Sequence, residues 1–586
     1  MKKHFLAGWT LTAICAAALV ACGGSDSPNQ PNPGDQGTVV NPPVPENPAP
    51  VVPTPAAPVV LEKASVTVNG QEREYFMYAP KAVAELREYD ARGVRVVISL
   101  HDDGQDGQAN ADRTRWSEIA EANGFVAIFP NAADKRWNTA RAAGGADEIA
   151  FIRAMAAAVR TKYGLTATIP TYLTGTGAGG TLAQQIAMMA PDVTTAVASI
   201  GGVAESTTFE LPAAQRPVSA MAAWQFRAAD AELSLDDIKQ IAYWTTANAT
   251  QAKAVVTQTE QADTTTYAKA DNDVQQVKVS RLRAGQSGDS LAVSQLIWSQ
   301  MFDRTVRFAD TKTTNGTLHA NETIASMRLV ESTKEFSPGN PRRWLTYVPS
   351  NYAELTAGGK KLPLIFSFHG RNGSARFQAM ITEWHKVAEA KGFIVVYPQG
   401  IGATWQVGME PDARDVKFFL DLFAETQGRY AIDTSRVFLN GSSMGTALTN
   451  RIAVQYPQLF AAIAPCYSGH LGAANYAHAI VKTNVPLPVW QCRGGDELPS
   501  EFPGGTAGET ASRNFWRETV NRNMGPFTLQ VDGRRRTEIW NDGLAEYRWQ
   551  LTDDIGHFWH PGQALQMWDE MLSRYQRTPD GHLVRR

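Results

Sequence analysis

One stretch of the chain is written twice. Near residue 100 it reads VVISLHDDGQDGQANADRTRWSEIAEANGFVAIFPNAADKRW, and near residue 368 it reads LIFSFHGRNGSARFQAMITEWHKVAEAKGFIVVYPQGIGATW. His101 and His369, Trp116 and Trp384, Pro130 and Pro398, Trp137 and Trp405, and Asp147 and Asp415 all stand 268 positions apart. Gly175 and Gly441 stand 266 apart, as do Trp224 and Trp490. An offset held over ~200 residues marks a repeated structural unit. The chain must therefore build one architecture twice, which predicts two homologous domains, 61–325 and 326–586.

Each copy alternates two kinds of pattern. In the second copy, apolar β-rich runs at 362–368, 393–397, 437–439, 461–464 and 489–492 read as buried strands. Between them, 375–391, 414–427 and 446–455 carry helical spacing. Alternating βα units predict an α/β fold with a mostly parallel sheet covered on both faces. Chemistry then belongs at the carboxyl ends of the strands.

The run at 437–439 leads into Asn440-Gly441-Ser442-Ser443-Met444-Gly445 and a helical pattern. G-x-S-x-G between strand and helix is a nucleophile turn, in which the glycines permit a sharp bend and Ser443 projects into the cleft. A serine hydroxyl needs a base and the base an orienting acid, in the chain order Ser, Asp/Glu, His. Asp496 ends the loop Arg493-Gly494-Gly495-Asp496, with Glu497 beside it as the substitute acid. His557 follows Gly556 in a loop before the last helix, with His560 as its competitor. The expected triad is Ser443, Asp496 and His557.

His369-Gly370-Arg371 closes the strand at 362–368. It predicts an oxyanion site made by the Met444 amide and that of Arg371 or Gly370, with His369 ordering the loop. Trp405, Trp559 and His560 are the aromatic candidates for the substrate cleft. Cys466 and Cys492 end strands expected to be neighbours ~4.8 Å apart, which suits a disulfide in an oxidising compartment; two buried thiols are the alternative.

The segments LPLIFSFHG, GFIVVYPQG, YAIDTSRVFLNGSSMG, LFAAIAP and GHFWHP, with Trp384, Trp405 and Asp415-Val416, cover nearly all of 340–575. On these the second copy resembles the polyhydroxybutyrate depolymerase and feruloyl esterase group of α/β-hydrolases, related to family 1 carbohydrate esterases. The resemblance implies two tandem α/β-hydrolase domains and ester hydrolysis through an acyl-enzyme, with Ser443 as nucleophile, Asp496 as acid and His557 as base. Such a mechanism needs no metal or organic cofactor. Thr446 replaces a frequent glycine of that group, and His560 interrupts its usual tryptophan–proline pair. Polyesters and acylated polysaccharides both fit as substrates. A serine peptidase and an inert binding or adhesion lipoprotein are the competing readings.

The first copy lacks the chemistry. Gly177 stands at the nucleophile position, Asp230 matches Asp496, and Asp289 replaces the base. Asp102 and Asp103 occupy the oxyanion loop, where negative charge would develop. The expectation is a non-catalytic domain that packs on the catalytic one. At the amino end, Lys2 and Lys3 precede an apolar stretch closed by Leu19-Val20-Ala21-Cys22, which resembles a bacterial lipobox. This predicts a signal peptide at 1–21, acylation of Cys22, and a lipid anchor on the outer membrane or cell surface, with periplasmic or secreted forms as alternatives. Residues 22–60 are Pro-rich and read as a disordered spacer. A formal net charge of −3 gives no electrostatic reason to bind nucleic acid.

Overall fold

The computed structural model describes residues 59–166, 169–308, 316–502 and 504–586. The leader, Cys22 and nearly all of the Pro-rich spacer lie outside them. The first repeat contributes β1 (Glu62–Val68), β2 (Gln71–Tyr78), β3 (Val96–Leu100), β4 (Val126–Pro130) and β5 (Thr171–Thr176). It continues with β6 (Ala196–Ile200), β7 (Ala222–Arg227), β8 (Val255–Gln258), β9 (Ala262–Lys269) and β10 (Asn272–Leu282). A short antiparallel pair, β11 (Thr305–Phe308) and β12 (Thr317–Ala320), precedes the second repeat.

The second repeat opens with β13 (Val330–Ser337), β14 (Asn340–Tyr347), β15 (Leu362–Phe368), β16 (Ile394–Pro398) and β17 (Ile432–Ser442). It completes its sheet with β18 (Ala462–Cys466), β19 (Val489–Gly494), β20 (Thr528–Asp532), β21 (Arg535–Trp540) and β22 (Tyr547–Thr552). The two sheets have one topology. The orders are β1-β2-β4-β3-β5-β6-β7-β10-β9-β8 and β13-β14-β16-β15-β17-β18-β19-β22-β21-β20. In the second, β16, β15, β17, β18, β19 and β22 pair in parallel and the outer strands pair antiparallel.

The expected architecture is present, and its sequence signature has a physical cause. Strands β15, β16 and β18 are buried at every position, because helices cover both faces. Leu364, Phe366 and Leu439 face Phe419 and Leu448 on one side. Ile365, Val395 and Phe438 face Trp384 and Trp568 on the other. The stretch 375–391, expected as one helix, is two: Ala375–Thr382 and Trp384–Lys391, broken at Glu383 with φ 55°. Arg115 breaks the first repeat at the corresponding place with φ 55°. Both breaks are left-handed residues that are not glycine, so periodicity does not reveal them.

A buried ion pair shows one local slip between the copies. Arg342 binds Asp415, which also takes the Gln406 amide at 2.6 Å. In the first repeat Arg73 binds Glu148, which takes the Asn138 amide at 3.1 Å. The structural counterpart of Asp415 is therefore Glu148 and not Asp147, which instead caps the following helix through the Ala150 amide. Cys466 and Cys492 are register partners on β18 and β19 and form a disulfide, with Cα atoms 4.6 Å apart.

The repeats share a seam. The Asp90 carboxylate of the first accepts hydrogen bonds from Ser374 Oγ (2.7 Å) and Arg376 Nε (2.5 Å) of the second. Phe308 packs its ring 5.6 Å from Phe377 and 4.8 Å from Phe558. Ser374 caps the helix that follows the 369–373 loop, so the first repeat is fastened at the edge of the predicted oxyanion site.

Candidate active site

Strand β17 ends at Ser442 and a helix, Met444–Gln455, starts two residues later; Ser443 makes the turn between them. Its backbone sits at φ 57° and ψ −118°, a conformation that costs a non-glycine residue about 1–3 kcal/mol. The Ser443 amide donates to the Cys466 and Tyr467 carbonyls, both at 3.1 Å, which holds the bend in place. Gly441 and Gly445 are required by contact. A Cβ on Gly441 would lie 2.2 Å from the Gly445 carbonyl oxygen, and one on Gly445 2.1 Å from that of Phe368.

Ser443 lines a cleft of about 670 Å³ together with Gly370, Arg371, Met444, His557 and Trp559. The His557 Nδ1 lies 2.9 Å from Glu497 Oε1, and the same oxygen accepts the Ser468 amide at 2.8 Å. Phe502 stacks on the imidazole at 4.0 Å between centroids. Nδ1 is thereby committed to the carboxylate, leaving Nε2 to serve the cleft. No hydrogen bond joins Ser443 Oγ to His557 among the described residues; such bonds often tighten only when substrate binds.

This pairing corrects the expected acid. Asp496 is half-exposed, donates its amide to the Ile555 carbonyl at 2.9 Å, and keeps its carboxylate out of the imidazole's reach. Glu497 is 2% exposed and points inward. Burial pushes its carboxyl upward, but the His557 and Ser468 hydrogen bonds outweigh that and hold it below the usual carboxylate value. A single clue in the sequence favours Glu497. The inert copy keeps Asp230 opposite Asp496 but has Ala231 opposite Glu497, so the position that changed with the nucleophile and base is the second one.

Two of the three aromatic cleft candidates are also corrected. Trp405 is buried behind the site, where its Nε1 donates to the His369 carbonyl at 2.7 Å and its ring packs on His369. His560 turns away from the cleft, with Nδ1 2.6 Å from the Pro561 carbonyl oxygen. Trp559 does line the cleft. Among the cleft residues not expected from the sequence, Phe377, Tyr467, Phe502 and Arg92 stand out.

His369 is a fixture of the loop. Its Nδ1 donates to the Gly370 carbonyl (2.7 Å) and its Nε2 accepts the Gly400 amide (3.0 Å), so the ring is neutral with a defined tautomer. Burial lowers its pKa to about 4. Gly370 passes so close to the nucleophile that a Cβ there would lie 3.1 Å from Ser443 Cβ. Met444 opens its helix, where amides have no partner within the helix.

The first repeat shows where such an amide points. Ala178, the counterpart of Met444, donates its amide to Asp102 Oδ1 at 2.9 Å. Asp102, the counterpart of Gly370, fills the nucleophile's place: a Cβ on Gly177 would sit 2.0 Å from that oxygen. Gly177 keeps the strained turn, at φ 53° and ψ −120°. Asp289, in the place of His557, is paired with Arg113. The first repeat thus holds a carboxylate oxygen against the amide that corresponds to that of Met444. No group of His, Cys, Asp and Glu suited to a metal ion occurs among the described residues.

The family model described as esterase PHB depolymerase matches residues 74–278 and 346–485, one segment in each repeat and more than half of the chain together. A bifunctional acetylxylan esterase/xylanase of Neocallimastix patriciarum is 33% identical over 153 residues, which are 26% of this chain and 21% of that protein. Acetylxylan esterase A of Emericella nidulans is 32% identical over 247 residues, which are 36% of this chain and 78% of that protein. The chain therefore spans about a fifth of the first relative's length. Among solved structures, an acetyl xylan esterase from Aspergillus awamori aligns over 41% of this chain and 98% of its own at 20% identity, with a TM-score of 0.33. A ferulic acid esterase aligns over 42% and 96% at 15% identity, with a TM-score of 0.29. With a family match in both repeats and one α/β-hydrolase topology built twice, the chain belongs to the esterase PHB depolymerase family.

Proposed function

We propose that the second repeat is a serine esterase that hydrolyses carboxylic esters through an acyl-enzyme. The observation that carries this reading is the strained Ser443 turn in one cleft with an imidazole whose Nδ1 is held by a buried glutamate. Ser443 Oγ attacks the ester carbonyl while His557 Nε2 takes its proton. Glu497 fixes the ring's orientation and stabilises the imidazolium. The Met444 amide and one from the Gly370–Arg371 stretch receive the oxyanion; one such donor contributes about 3–4 kcal/mol to the transition state. His557 passes its proton to the leaving alcohol and then activates the water that frees the acid.

The names of the relatives favour a short acyl group on a polysaccharide, with a polyester as the other candidate. An extracytoplasmic site of action is supported by the leader and the Cys22 motif. The test is hydrolysis of p-nitrophenyl butyrate. Ser443→Ala is expected to abolish turnover and fluorophosphonate labelling while the protein stays folded, and retained turnover would rule the mechanism out.

A further inference from the structure

The first repeat reaches into the catalytic cleft through one side chain. Arg92, in the turn Ala91–Gly93, lines the same cavity as Ser443 and His557 although it comes from the inert copy. It also borders a smaller cavity of about 130 Å³ at the seam, and His557, Phe377 and Phe558 are shared by both. The guanidinium lies over the Phe377 ring at 4.6 Å. Its Nε is shut off from solvent and has no hydrogen-bond partner. The carboxylate that acts on its charge, Asp90, is already engaged by Ser374 and Arg376. Burial pulls the Arg92 pKa below its ordinary value, with Asp90 opposing, yet a guanidinium stays charged at any working pH. Arg307 and Arg376 also line the small cavity, and among the described residues no carboxylate does. An aromatic-backed cation with an unpaired donor, lining the cleft beside His557, is a receptor for a planar anion.

The chemistry of the proposed reaction says which part of the substrate lies there. In acylation the ester C–O bond breaks as the Ser443 Oγ–acyl bond forms, and the departing alkoxide takes the proton that His557 removed from Ser443. The leaving alcohol therefore sits beside His557, where the small cavity opens. Building on the serine-esterase reading, we infer that Arg92 is a specificity residue that binds a carboxylate on the alcohol part of the ester. The preferred substrates are esters of hydroxy acids or of acidic sugars, and the inert repeat selects them.

The experiment compares kcat/KM of the full chain on 3-acetoxypropanoate and on its neutral match 3-acetoxypropanamide. A parallel arm compares an acetylated methyl glucuronoside with the acetylated methyl glucoside. The carboxylate member of at least one pair is expected to be favoured about 10- to 100-fold, the range of a hydrogen-bonded charge. The arm that shows the preference identifies the alcohol as hydroxy acid or sugar. In Arg92→Met the ratio should fall to near one, mainly through KM, and Arg92→Lys should keep part of it. A measurement that needs no variant is inhibition of p-nitrophenyl acetate hydrolysis, where 3-hydroxypropanoate should inhibit more strongly than 3-hydroxypropanamide. Turnover with no preference in either pair, or a preference that survives Arg92→Met, overturns this inference and leaves the esterase reading standing. Absence of turnover on every ester overturns both.

Discussion

The neighbouring carboxylates Asp496 and Glu497 give the sharpest test of the site. Replacing Glu497 by Gln keeps the side chain's shape but removes the charge facing His557 Nδ1 at 2.9 Å. Glu497 is 2% exposed, so solvent screens the interaction little. Two unit charges ~4 Å apart at an effective dielectric of about 20 attract by about 4 kcal/mol. That attraction is absent while the imidazole is neutral and appears when it becomes imidazolium in the transition state, so its loss falls on kcat. About 4 kcal/mol corresponds to roughly three orders of magnitude in rate. Glu497→Gln is therefore expected to lower kcat on p-nitrophenyl butyrate about 1,000-fold with KM little changed. Asp496→Asn alters a half-exposed loop carboxylate outside the imidazole's reach, and should change kcat less than about threefold. Steady-state rates of the two variants, with fluorophosphonate labelling as a check that Ser443 remains accessible, decide the matter. A near-normal Glu497→Gln enzyme beside an inactive Asp496→Asn enzyme would refute the reasoning.

The remaining predictions concern stability. Burial holds His470 at about 4, so between that value and the ordinary pKa of ~6.5 the unfolded chain binds the extra proton. Its contribution is thus lost as pH falls through this window, by about 2 kcal/mol at pH 5, and levels off below about pH 4. Urea midpoints should drop between pH 7 and pH 5 and drop less in His470→Phe; equal slopes would contradict the assignment. In the first repeat, Gly177→Ser drives a Cβ to 2.0 Å from Asp102 Oδ1, so it should lower Tm, and adding Asp102→Gly should recover part of the loss, the strained backbone at position 177 keeping the rest. Failure of the second change to rescue the first would show that the two side chains do not compete for one space.

Sequence reasoning reached the fold because the informative strands are buried on both faces. β15, β16 and β18 read as unbroken apolar runs, and the second copy repeats the pattern at a fixed offset. The Ser443 turn was legible for a similar reason: Gly441 and Gly445 are dictated by backbone contacts that any chain making this turn must satisfy. The carboxylate that meets His557 differs from the expected one because Asp496 and Glu497 are adjacent on a strand-end loop. Which of two successive side chains turns inward depends on the loop's path, and its one mark in the sequence is the exchange of Glu497 for Ala231 between the copies. Trp405 lies behind the cleft and not in it because an indole after a strand end suits a ligand or a buried carbonyl equally, and here it meets the His369 carbonyl. Arg92 had no signal at all, since its place in the cleft follows from how one repeat sits against the other.

The carboxylate lodged in the first repeat's anion site has an evolutionary consequence. A serine at 177 meets Asp102, and removal of Asp102 alone leaves Gly177 without a hydroxyl, so no single substitution reproduces the second repeat's turn. Ala231 and Asp289 add two further changes to the same path. The change thus acts as a ratchet on the turn, while the same copy's residues 90 and 92 lie against its neighbour's Ser374, Arg376 and Phe377.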